Sequence, residues 1–145
     1  MGLRTKCVAL ILALWITGGG AVCSFAGTGQ EIRQVVKDAV EYAGWLKDKN
    51  YREKLKQLFT SELLASILRS VENYRESATD WYTLTFLQNC HIVYNNEKTA
   101  VVIARVEEVD ITSQCRESNS LIIVLSNTNA GWRIAGIFSC PGKTV

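Results

Sequence analysis

Between residues 76 and 81 the repeat of apolar side chains changes from one in three or four to one in two. That switch dictates helices first and strands after, because a helix returns to the same face every 3.6 residues and a strand every two. Ahead of the switch, Ile32, Val35, Val36, Ala39, Ala43 and Leu46 form one apolar stripe, with Arg33, Lys37, Asp38, Glu41 and Lys47 mostly elsewhere. The preceding `TGQE`, Thr28 to Glu31, has the spacing of a capping box, in which hydroxyl and carboxylate satisfy the first free amides. Asn50 and Glu53 repeat that spacing before Leu55, Leu58 and Phe59, and Thr60 or Ser61 opens a third segment carrying Leu64, Ile67, Leu68, Val71 and Tyr74. Residues 29–76 therefore read as two or three amphipathic helices.

Beyond the switch, `WYTLTFLQNCHIVY` alternates. Tyr82, Leu84, Phe86, Cys90, Ile92 and Tyr94 fall on the face expected to meet the helices, and Trp81, Thr83, Thr85, Leu87, Asn89, His91 and Val93 on the other. Asn95-Asn96 suits a hairpin turn, since asparagine tolerates positive φ. `KTAVVIARVEEVD`, `SLIIVLS` and `GWRIAGIFS` supply three more strands with short connections, which favours a four-stranded antiparallel meander and an α+β class. `AVVIA` and `LIIVL` are apolar on both faces, whereas a sheet with one wet face alternates. Helices cover one side only. A second copy of the sheet, giving a homodimer, is the simplest cover for the other, with the C-terminal tail or a bent helix as the alternative.

At 145 residues the chain suits a single core once its beginning is set aside. Residues 1–26 have Arg4 and Lys6, an apolar run from Cys7 to Ile16, a glycine break and Ser24-Phe25-Ala26, the layout of a secretory signal. Ten apolar residues are half of the ~20 that a bilayer helix requires, so no stable membrane anchor is expected. The expectation is an exported protein, periplasmic or extracellular, with one domain over residues 27–145. Without Arg4 and Lys6 the remaining 14 Lys and Arg balance 14 Asp and Glu, so the domain is neutral. No basic tract remains to neutralise phosphates, and nucleic acid is not an expected partner.

Cys90, Cys115 and Cys140 fall in the exported part, where one disulfide and one thiol are natural. With Thr128-Asn129 as the last turn, Cys140 falls opposite Glu117, two positions from Cys115. A Cys115–Cys140 bridge is thus expected, with Cys90 a buried thiol. A single histidine and no CxxC pair leave no metal site to expect, and no phosphate-cradling loop or other cofactor motif occurs after residue 27.

Helices followed by a meander, with `YREKLKQLFTSELLASI` and the closing `LIIVLSNTNAGWRIAGI`, resemble the cystatin-like superfamily, in particular the nuclear transport factor two-like fold and its secreted bacterial members of unknown function. The resemblance covers about residues 30–140 and rests on Gly131, Trp132 and Ile134. It implies a curved sheet wrapped around helices, a cone with a pocket at its wide end. Tyr42, Trp45, Tyr82, Phe86, Gln88 and Tyr94 are the expected pocket lining, a set suited to a small amphipathic ligand.

The same fold resembles ketosteroid isomerases and dehydratases, which need an acid or base inside the cone. His91, the sole histidine, points away by alternation, and its neighbour Cys90 faces the opposite side, so the two form no nucleophilic pair. Glu97, Glu107, Glu108 and Asp110 sit near turns and strand ends. `QVVKD` mimics the start of the cystatin inhibitory loop but lacks its glycine. The reading is an exported, non-enzymatic domain that binds a small amphipathic ligand or a partner protein. The alternative is an isomerase or dehydratase using Asp80 and Tyr82; a subunit of an envelope secretion complex is a third reading, from the fold's reuse as an assembly module.

Overall fold

The computed structural model describes residues 28–42, 48–76 and 83–140. The chain divides into two units, Met1–Glu31 and Ile32–Val145. Of the first, residues 28–31 are described and are helical. The described helices are α1 (28–40), α2 (Tyr51–Leu58) and α3 (Ser61–Glu76). The strands are β1 (Thr83–Asn95), β2 (Thr99–Asp110), β3 (Arg116–Thr128) and β4 (Gly131–Ser139). Sheet order is β1-β2-β3-β4, all antiparallel, the expected α+β meander.

Helix α1 buries Ile32 and Val36 completely and Ala39 nearly so, the expected stripe, while Arg33, Lys37 and Asp38 stay exposed. Thr28 is already helical, so it is not the flanking cap that `TGQE` suggested. Ala43 and Leu46, expected to extend the stripe, lie outside the described residues.

At α2 the Asn50 side chain makes no capping bond. Its carbonyl accepts from the Glu53 and Lys54 amides (3.1 and 3.3 Å), and the Asp48 carboxylate accepts from the Asn50 amide (2.8 Å). Glu53, the other half of the expected box, instead accepts from Lys56 at 2.6 Å. Tyr51, Leu55 and Leu58 form the buried stripe of this helix. The link to α3 does structural work: Phe59 is extended and bridges to Ile134, and the Thr60 amide donates to the Ile134 carbonyl at 2.9 Å. The chain thus ties itself to the free edge of β4 before Thr60 accepts the first α3 bond from Leu64 (2.8 Å).

The helices pack on one face of the sheet. Ile32, Val36, Leu55 and Phe59 share a buried cluster with Ala100, Val102 and Ala104 of β2, Ile123 and Leu125 of β3, and Trp132 and Ile134 of β4. Ala100 and Ala104 are short enough to let the helices approach the sheet closely. Trp132 is 3% exposed and belongs to this core, as its place in the closing strand implied.

Each turn has a local cause. In β1–β2 the Asn96 side chain accepts from Lys98 and Thr99 amides (2.9 and 2.6 Å) and the Asn96 amide donates to the Thr99 carbonyl, so Glu97-Lys98 form the loop, two residues later than the expected Asn95-Asn96 pair. In β2–β3 the Asp110 carboxylate accepts from the Thr112 and Ser113 amides (2.8 and 3.0 Å), which holds it below its ordinary range. In β3–β4 the closing pair is Thr128 with Gly131, so Asn129-Ala130 form the loop and Gly131 takes φ +96°.

That last register corrects the disulfide expectation. The Cys140 amide donates to the Ser120 carbonyl (2.9 Å), placing Cys140 beside Ser120 rather than Glu117. Cys115 precedes β3, about five extended residues or ~17 Å along the strand, whereas a bridge needs Cα atoms within roughly 7 Å. Among the described residues, Cys90, Cys115 and Cys140 are free thiols. Burial pushes the Cys90 thiol up, against a smaller opposing effect of the Arg33 charge, and fewer thiolates mean slower alkylation. At about pH 8, iodoacetamide should label exposed Cys115 at least ~10-fold faster than Cys90. Time-resolved peptide mapping checks this; equal rates, or a disulfide-linked peptide before reduction, would be the contrary result.

Candidate functional site

β2 runs without interruption and so defines the two faces of the sheet. Ala100, Val102, Ala104 and Val106 are fully buried on the helix side, and Val101, Ile103, Arg105 and Glu107 alternate with them on the outer side. β1 does not keep step. Its pairing passes from Leu87↔Val106 to Asn89↔Arg105, skipping Gln88, and from Ile92↔Val102 to Tyr94↔Val101, skipping Val93. Each extra residue is a bulge, and each bulge reverses the alternation beyond it.

The consequence is a correction to the expected lining. Between the bulges Cys90 and Ile92 face the helices and Asn89 and His91 face outward, as alternation implied. Outside that stretch the assignment inverts. Leu87 and Thr85 face the helices, whereas Leu84, Phe86 and Tyr94 lie on the outer face; Phe86 and Tyr94 are exposed.

The six expected ligand residues accordingly do not converge. Tyr42 is half-buried just after α1, where its phenol donates to Asp48 at 3.2 Å. Burial, then the Asp48 bond and charge, push that phenol up to about 12. The Lys54 ammonium stands 5.9 Å from the same ring. Gln88, in the first bulge, donates to Glu107 at 3.3 Å. Trp45 and Tyr82, with the alternative catalytic residue Asp80, lie outside the described residues.

Sequence reasoning missed Glu41. Its carboxylate accepts from the Leu87 amide at 3.1 Å, covering a donor on the open edge of β1 next to the bulge. The Asn89 side chain likewise accepts from the Cys90 amide at 2.7 Å. No local pattern announces either bond, because each follows from where the bulge falls. Among the described residues no side-chain group could hold a metal ion, and no polar or charged residue is buried. No described helix is long and apolar enough to cross a membrane.

What the strands do assemble is an apolar band on the outer face. One row across the sheet is Tyr94, Val101, Val124 and Gly136; the next is His91, Ile103, Ile122 and Phe138. Tyr94, Ile103 and Phe138 are 52%, 43% and 57% exposed. The Phe138 ring lies over Gly136, 3.0 Å from where a Cβ would stand, so the absence of a side chain there gives the ring its seat. Polar rows border the band: Thr99, Ser126 and Arg133 on one side, Asn89, Arg105, Ser120 and Cys140 on the other. Further out Glu107 pairs with Arg116 at 3.5 Å. A band of exposed aromatic and branched side chains with a polar border has the make-up of a protein-binding surface.

Compared with known proteins, the chain matches no family model, no curated protein and no solved structure.

Proposed function

We propose that this chain is an exported, non-enzymatic interaction domain that engages a protein partner through the outer face of its sheet. The carrying observation is the band on the side away from the helices in which Tyr94, Ile103 and Phe138 are exposed beside half-buried Ile122. Large apolar groups held on rigid strands lose little entropy on docking and gain by leaving water. A protein partner is favoured over a small amphipathic ligand because Tyr42, Gln88, Phe86 and Tyr94 are distributed over both faces and a bulge. His91 faces outward beside Ile103, which supports binding over proton transfer. Helices on a four-stranded meander support the cystatin-like resemblance, and the cone belongs to this proposal.

A photo-crosslinking amino acid in place of Ile103, introduced in the producing cell, tests the reading. The expected result is a discrete protein adduct that disappears when Phe138→Glu is added. Absence of any adduct at 103, with the protein folded and abundant, would end the proposal.

A further inference from the structure

The outer face repeats itself across the seam between β2 and β3. Val101 pairs with Val124 and Ile103 with Ile122, like with like, and the flanking positions in the second row are both rings, His91 on β1 and Phe138 on β4. In the first row the flanks are opposite in size, Tyr94 on β1 and Gly136 on β4. We propose that the occupant of this face is a second copy of the same chain, packed sheet on sheet about a two-fold axis that runs along the β2–β3 seam. This rests on the interaction reading above and names its partner.

Such an axis exchanges β1 with β4 and β2 with β3. Ile103 then meets Ile122 of the other copy, and His91 and the projecting Tyr94 both meet the Phe138 ring that is seated on Gly136. In a two-fold contact residue i touches j while j touches i, so a surface must complement itself. Along the midline the like central pairs Val101/Val124 and Ile103/Ile122 meet that requirement, which an unrelated partner does not impose. The borders agree as well. Arg105 comes to lie over Ser120 and Glu107 over Ser118, so no like charges meet, and Glu107 is already neutralised by Arg116.

The whole outer face, polar borders included, approaches the size required. Twelve residues of β2 at ~3.3 Å each and four strands ~4.8 Å apart outline roughly 40 by 19 Å, on the order of 700 Å², against about 800 Å² per partner in a standard interface. Aligned sheet packing keeps strand directions within about 30°, which an axis parallel to the strands provides.

Sedimentation velocity on the purified protein should give twice the chain mass at tens of micromolar, on the order of ordinary reversible dimers. Ile103→Arg should weaken that association by about 100-fold or more, as expected for a central contact, while Ile111→Arg, exposed in the β2–β3 turn, should leave it unchanged. The axis has its own readout. Asn89→Cys should be linked to the native Cys140 of the other copy by a bismaleimide too short to reach Cys140 of the same chain three strands away. A monomer at these concentrations, a dimer indifferent to Ile103→Arg, or links joining only position 89 to position 89 would overturn the proposal. A monomer that still yields a heterologous adduct at 103 in cells would overturn this inference and leave the interaction reading standing; a monomer with no adduct would remove both.

Discussion

Ile134→Ala should lower the stability of this domain by about 3–4 kcal/mol, roughly 15 °C in melting temperature. Ile134 is fully buried in β4 and meets the helices twice over. Its side chain fills the core with Leu125 and Trp132, and its backbone receives the Thr60 amide and pairs with Phe59. Alanine keeps the backbone bonds and removes three carbons from a place where rigid neighbours on a sheet cannot close in. The loss therefore combines lost transfer energy with an unfilled cavity. Urea unfolding at 25 °C measures it. A loss under about 1 kcal/mol would mean that the helix–sheet seam is not the packed core described above.

Val36→Asp should be more damaging, about 4 kcal/mol or more, because a carboxylate would enter a wholly apolar cluster with no described polar side chain buried beside it. Val36 sits in the middle of α1 with Ile32 and Ala39 on the same side. The exposed neighbour Lys37 is the control, and Lys37→Ala should change stability by under about 0.5 kcal/mol. Chemical denaturation followed by far-ultraviolet circular dichroism reads both. Near-equal values for the two variants would show that α1 adds nothing to the core.

The helical half and the strand order were legible because their signals are periodic. Ile32, Val36 and Ala39 on α1, and Tyr51, Leu55 and Leu58 on α2, lie on the faces that spacing assigned or allowed. Strand β4 follows the expected span from Gly131 to Ser139, and the doubly apolar character of β2 and β3 does leave one face open. What was not legible depends on single residues that periodicity cannot count. Gln88 and Val93 each add one residue to β1, and nothing in `FLQNCHIVYN` marks them as unpaired. Two such insertions moved Leu84, Phe86 and Tyr94 to the opposite face and dispersed the expected ligand set. The last turn failed similarly. Placing it at Thr128-Asn129 instead of Asn129-Ala130 overlooked that Gly131, the residue with positive φ, closes the hairpin, and the thiol pairing fell with it.

Both lateral borders of this sheet are obstructed: β1 by its two irregularities and the Glu41 and Asn89 side chains, β4 by the Phe59-Thr60 segment. Joining sheets side by side would lengthen without limit, since every added unit offers a fresh border to the next. Stacking broad surface against broad surface terminates once each has been used. These few backbone details make the first route awkward and leave the second open, so they oppose open-ended growth through the edges of this sheet.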